Sequence, residues 1–111
     1  MKREPFVRCL TAECMEPETE MTVLSKWVEV KGLRVHYLDA GMGAPVFLLH
    51  GGGIDSASLS WKLTIEPLAN HHFRVFAPDC PGYGASDKPT IQYTANFYIR
   101  VLSDFMQALG I

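Results

Sequence analysis

His50-Gly51-Gly52-Gly53 stands directly behind the apolar run Val46-Phe47-Leu48-Leu49. An apolar run without alternation is the signature of a central strand covered on both faces, as in an α/β sheet. In such sheets ligands lie beyond the carboxyl ends of the strands, so the glycines occupy a place where chemistry is expected. Backbone N–H groups freed in a glycine loop can hold an oxyanion and stabilise a transition state by about 3–4 kcal/mol. The competing reading is a tight turn with no ligand. Phosphate binding is disfavoured. Gly51-Gly-Gly-Ile-Asp-Ser-Ala57 is neither G-x-G-x-x-G nor a P-loop, and no lysine follows where a phosphate would need one. His50 reads as a structural histidine at the strand end, hydrogen-bonded to nearby backbone, in preference to a general base.

A second chemical pattern runs from Ala77 to Pro89, Ala-Pro-Asp-Cys-Pro-Gly-Tyr-Gly-Ala-Ser-Asp-Lys-Pro. Gly82 and Gly84 allow a double turn, and Asp79 and Ser86 can cap its exposed backbone N–H groups. Cys80 reads as a small, semi-buried filler in preference to a reactive thiol. Taken alone, this stretch is an elaborate turn.

The elements that hold these two loops follow from periodicity. Trp27, Val28 and Val30 form a short strand, Lys31-Gly32 a tight turn, and Leu33 to Leu38 an alternating strand, together an antiparallel hairpin. Asp39 to Pro45 is a loop by composition. Beyond the glycines, Trp61, Ile65, Leu68 and Ala69 recur at helical spacing, with Pro67 either kinking that helix or marking a fresh first turn. Asn70 and the His71-His72 pair end it. Phe73 to Ala77 is a second buried strand, and Pro78 to Pro89 a turn-rich loop. Thr94 caps a long helix with apolar positions at Phe97, Tyr98, Val101, Leu102, Phe105 and Leu109 and a stop at Gly110. The order β-β-β-α-β-α places the chain in the α/β class.

Composition narrows the function further. The 111 residues suffice for one domain. Residues 1–21 lack periodicity and read as a flexible leader, and residues 22–111 as the domain. Ten basic against twelve acidic residues give a net charge of -2, which offers no footprint for nucleic acid or an anionic membrane. No apolar run approaches the roughly 18 residues of a membrane span. Glu4, Pro5 and Arg8 interrupt any secretory core, so the cytoplasm is the expected address. Cys9, Cys14 and Cys80 form neither a paired set nor a C-x-x-C, and no disulfide, metal or other cofactor is expected.

The two motifs together, HGGG after one strand and D-x-P-G-x-G-x-S-D-K-P after the next, resemble the α/β-hydrolase superfamily over Trp27 to Ile111. The resemblance implies a larger, mostly parallel sheet, of which this chain holds the first four strands in the order 1-2-4-3. It also implies that Gly52 donates a backbone N–H to an oxyanion hole, with Gly51 and Gly53 supporting the loop, while the Asp79 to Ser86 turn is architectural. The family nucleophile lies in G-x-S-x-G, followed by Asp or Glu and then His. No such motif occurs in these residues. Gly84-Ala-Ser86-Asp-Lys88 lacks the final glycine and follows the wrong strand. His36, His71 and His72 all precede the expected nucleophile.

Dehalogenases of the superfamily commonly place Asn where Gly52 stands, and epoxide hydrolases commonly carry His-Gly-x-Pro. Both departures favour a serine enzyme attacking the carbonyl of a small ester or lactone, or a C–C bond next to a carbonyl. Ser56-Ala-Ser-Leu-Ser-Trp61 resembles a segment of the meta-cleavage-product hydrolases, which usually follow HGGG with Pro-Gly where this chain has Ile54-Asp55. The chain is therefore expected to be a hydrolase portion truncated before the nucleophile and inactive alone. The alternative is a non-catalytic module that associates with itself or a partner through its open sheet edge.

Overall fold

A computed structural model describes residues 22–53 and 55–111. The leader expected over residues 1–21 lies outside the described residues. Strand β1, Leu24–Val30, turns through Lys31 and Gly32 into β2, Leu33–Ala40, and the two pair antiparallel from Leu24 opposite Asp39 to Val30 opposite Leu33. Both turn residues have positive φ, +50° at Lys31 and +79° at Gly32, the backbone that a two-residue hairpin demands. β3, Ala44–Phe47, is followed by two short helices, α1 (Ala57–Trp61) and α2 (Ile65–Asn70). β4, Phe73–Pro78, and the long helix α3, Ala95–Ala108, complete the chain.

The sheet has four strands in the order β1-β2-β4-β3, as the resemblance implied. β4 lies antiparallel to β2 and parallel to β3. Alternation along the strands divides the core into two layers. On one face, Val30, Val35, Tyr37 and Phe76 pack against Val101 and Phe105 of α3. On the other, Ala40, Val75 and Ala77 meet Ala57, Ile65 and Ala69 of α1 and α2. Small side chains on both partners let those two short helices lie close to the sheet.

Three expectations need correction. β3 spans Ala44–Phe47, two residues earlier than Val46 to Leu49. Leu48 still donates its N–H to Phe76 O (3.0 Å), after which the chain leaves the sheet. The two-sided covering of this strand is incomplete. Phe47 reaches the α3 layer and Leu48 the other, but β3 is the outermost strand here and Leu49 is exposed. Asp39 and Ala40, expected in a loop, extend β2.

The helix expected around Trp61 to Ala69 is two helices separated by a turn. Pro67 falls in the first turn of α2, where its missing N–H removes no helical bond. α3 follows its expected signals. Thr94 accepts a hydrogen bond from Phe97 N, and the helix closes with Gly110 N to Gln107 O and Ile111 N to Met106 O, both 3.0 Å. No helix among the described residues is long and apolar enough to cross a membrane.

Asp39 extends β2 because its buried carboxylate collects cations from both neighbouring strands. Lys26 Nζ of β1 lies 2.8 Å from it, and Arg74 of β4 donates through Nε (3.0 Å) and Nη2 (2.7 Å). Burial by itself would raise its pKa, but the hydrogen bonds and charges of Arg74 and Lys26 outweigh burial and hold it below the ordinary 3.8. A depressed folded pKa contributes stability that is present above the unfolded value and lost as pH falls through the folded one. Asp39→Asn is therefore expected to lower unfolding free energy at pH 7 by about 2 kcal/mol, less than for a fully buried pair because both cations can resolvate. Urea titrations at pH 7 and near pH 3 should find the difference between variant and parent shrinking at the acid end.

Candidate active site

The carboxyl ends of β3 and β4 lie side by side, and the chain departs from each into one of the two motif loops. The β4 loop is built on Asp79. Its buried carboxylate accepts from Ala57 N (2.7 Å) at the start of α1 and Ala85 N (3.0 Å) across the turn, and contacts His36 Nδ1 (2.8 Å) on β2. Burial would raise its pKa. The N–H groups of Ala85 and Ala57, then His36, reverse the direction and keep it ionised.

Ser86, also buried, accepts from His36 N (2.8 Å) and donates to Asp79 O (2.6 Å). The hydroxyl in the G-x-S-like decoy is thus spent on architecture, as expected of a turn residue. Asp87 pairs with Arg34 through N–H to O (2.9 Å) and through its carboxylate to Arg34 N (2.9 Å), stitching the turn to β2.

The β3 loop is tied down from both ends. Cys80 N donates to His50 Nε2 (3.0 Å), which makes that nitrogen the acceptor and Nδ1 the protonated donor to Gly51 O (2.7 Å). Both ring nitrogens are engaged, and His50 is a structural link between the loops as its position suggested. Gly51 N donates to Asp55 Oδ2 (2.9 Å), and Asp55 also accepts from Ser56 N (2.8 Å) and Ser60 Oγ. These bonds, with Ser56 the largest contributor, hold the Asp55 carboxyl below its ordinary value.

Gly52 lies between these tethers, exposed, and its N–H has no acceptor among the described residues. Gly53 turns the chain at φ +76°. The Tyr83 hydroxyl overhangs the loop, 3.6 Å from where a Cβ on Gly52 would stand, and its ring meets His50 edge-on at 4.9 Å.

Cys80 is buried, and burial followed by the charge of Asp79 pushes its thiol up to about 11. That is a filler, not a nucleophile. His71 caps the end of α2 through Pro67 O (2.8 Å), far along the chain from the glycine loop. Among the described residues no group of three or more His, Cys, Asp or Glu side chains could hold a metal. Sequence reasoning did not single out Asp55 or Tyr83. An acid four residues beyond Gly51 and next to a helix-capping serine was the available signal for Asp55. Nothing local marks Tyr83, whose place over Gly52 depends on two strands lying parallel.

Comparison with known proteins fits this geometry. The sequence pattern of the α/β hydrolase fold matches residues 45–111, from β3 through both loops to the end of α3. The chain belongs to that family. A 2-hydroxy-6-oxo-6-(2'-aminophenyl)hexa-2,4-dienoic acid hydrolase of Metapseudomonas resinovorans is 39% identical over 99 residues, which cover 89% of this chain and 34% of that protein. Haloalkane dehalogenase 2 of Mycobacterium tuberculosis is 34% identical over 88 residues, covering 78% and 30%. Among solved structures, a serine hydrolase involved in carbazole degradation (CarC enzyme) superposes with a TM-score of 0.74 at 37% identity, covering 81% of this chain and 35% of that one. The epoxide hydrolase VrEH1 of Vigna radiata gives a TM-score of 0.73 at 30% identity, covering 80% and 29%. The chain spans about a third of the length of these α/β hydrolases.

The β4 loop leaves no room at Gly84. Its φ is +52°, and a Cβ there would stand 2.3 Å from the Asp79 carboxylate. Gly84→Ala is expected to cost at least about 2 kcal/mol, combining the left-handed backbone penalty with displacement of a buried charge. Gly53→Ala, also at positive φ but with nothing near the added methyl, should cost about 1 kcal/mol. Chemical denaturation of the two variants measures the difference.

Proposed function

We propose that residues 22–111 supply the strand platform and one oxyanion donor, Gly52, of a serine hydrolase that acts on a small carbonyl compound. The bond cleaved is an ester, a lactone or a C–C bond beside a carbonyl. The observation that carries this reading is the Gly52 N–H, without an acceptor among the described residues at the carboxyl end of β3, while Gly51 before it is tethered through both its N–H and its carbonyl. A donor fixed before the reaction, aimed at an oxygen that gains charge during it, stabilises the transition state without reorganisation.

Gly51 donates its own N–H to Asp55 and Gly53 reverses the chain, so both serve as support. Gly52 has no side chain with which to hold a leaving halide, which favours carbonyl chemistry over dehalogenation although relatives of both kinds are similar. The nucleophile, acid and catalytic histidine of this site lie outside the 111 residues, which contain no G-x-S-x-G. By this reading the chain alone does not turn over the carbonyl substrate. A cytoplasmic setting fits the odd cysteine count and the free, buried Cys80.

The test is a chimera in which residues 22–111 replace the matching third of the Metapseudomonas dienoic acid hydrolase. The chimera should cleave that enzyme's substrate. Gly52→Pro, which removes the N–H, should lower kcat by about 10²–10³ with KM little changed. Gly52→Ala, which keeps the N–H and places a methyl in ordinary contact with Tyr83, should retain most activity. A chimera that melts cooperatively yet is indifferent to Gly52→Pro overturns the assignment.

A second reading, a module that pairs through β3, is favoured by one observation. β3 is outermost in the sheet, and beside it lies an apolar hollow lined by Phe47, Leu49, Leu102, Phe105 and Met106. Such an edge templates strand pairing. Sedimentation of the chain should show concentration-dependent dimers that Leu49→Lys abolishes, and a parent that stays monomeric at high micromolar concentration removes this reading.

A further inference from the structure

Away from the glycine loop, the hairpin of β1 and β2 carries Ser25, which precedes the matched residues 45–111 and has no part in the site above, to the far side of the His36 ring that Asp79 holds. Trp27 pairs with His36 across the hairpin, so Ser25, two residues before Trp27 on the same face, is the diagonal neighbour of His36. Ser25 Oγ lies 2.6 Å from His36 Nε2, and His36 Nδ1 lies 2.8 Å from Asp79 Oδ2.

The protons in this chain of contacts are assignable. Asp79 accepts two backbone N–H bonds and is ionised, so Nδ1 carries the ring proton and donates to it. In the neutral imidazole Nε2 then holds a lone pair, and Ser25 is the donor to it. Nucleophile, base and orienting carboxylate thus stand in the order and hydrogen-bonding sense that activates a serine hydroxyl, an arrangement recognised by geometry and not by sequence position. The imidazole is further held by Trp27, whose ring lies 5.0 Å away, and its side chain is only 14% exposed. Ser25 itself is exposed on the outer strand, open to a reagent from solvent.

We propose that Ser25, His36 and Asp79 form a second, surface-facing acyl-acceptor site that takes activated aryl esters. Ser25 Oγ attacks the acyl carbon and its proton passes to His36 Nε2. The bond from that carbon to the aryl oxygen breaks, the phenolate leaves with the electron pair, and the imidazolium returns its proton to solvent. The product is an acyl ester on Ser25. Among the described residues the Ser25 hydroxyl bonds only to His36, so the site suits donors with a good leaving group, and general-base assistance alone contributes about 10²–10⁴-fold.

The 111-residue chain can be tested directly with p-nitrophenyl acetate, followed by peptide mapping that separates serine esters from lysine amides. Ser25 should be acetylated at least about tenfold faster than Ser58 or Ser103 in the folded chain, a conservative share of the general-base effect. That preference should vanish in urea, where the three residues separate. Ser25→Ala, an exposed change that leaves the core intact, should remove the fast fraction of p-nitrophenolate release. Equal labelling of Ser25 and the other serines, or a Ser25 preference that survives in urea, overturns the proposal. This outcome is independent of the glycine-loop reading, since the chimera experiment reports on Gly52 alone.

Discussion

The carboxylate of Asp79 lies where β4 ends, and three other pieces of chain meet on it. It receives the first N–H of α1, an N–H from the far side of its own turn, and the imidazole of β2, while its backbone bonds to Ser86 and His36. A five-residue helix such as α1 has no stability of its own in water. Burying a carboxylate costs several kcal/mol unless its lone pairs are satisfied. The two problems solve each other, because the free N–H at the helix start is one of the donors the carboxylate needs. Anchoring α1 this way also fixes where the glycine loop must end.

That loop is held at its other side by a different set of bonds. Asp55, just ahead of α1, binds Gly51 N, and His50 bridges Gly51 O and Cys80 N. The two motif loops are therefore one unit, joined once through His50 and once through α1. Of the three glycines, the first is used by its neighbours, the third reverses the chain, and the middle one keeps its N–H. In the proposed site the free donor at Gly52 would be set by the bonds of His50 and Gly51 ahead of it and of Asp55 beyond it.

Much of this was legible in the residues alone. The hairpin, the cap at Thr94, the helix stop at Gly110 and the class of fold followed from local periodicity and turn chemistry, which act over a few neighbouring residues. The glycine loop and the Asp79 turn were recognisable because their residue types recur in a known pair of motifs. What escaped local reasoning depends on distant partners. Asp39 belongs to β2 because Lys26 and Arg74, 13 residues before and 35 after, converge on it. β3 ends where its bonds to β4 end, and no residue of its own marks that point. The role of Asp55 depends on a backbone N–H four residues back, and Ser25 meets His36 only through the hairpin register.

Asp39 and Asp79 show how one residue type serves two purposes in a single sheet. Asp39 is neutralised by flexible cations from flanking strands, a bond that joins strands and tolerates movement of the long side chains. Asp79 is satisfied mainly by backbone N–H groups, with a histidine and no lysine or arginine. Backbone donors have no rotamers to lose and bring no net positive charge. A lysine beside the glycine loop would attract any anion and compete with the Gly52 N–H for the oxygen of the proposed site. With Asp79 satisfied by backbone donors and a histidine, a single Gly52 N–H would, in the proposed site, be the directional donor that discriminates a developing oxyanion from a ground-state carbonyl.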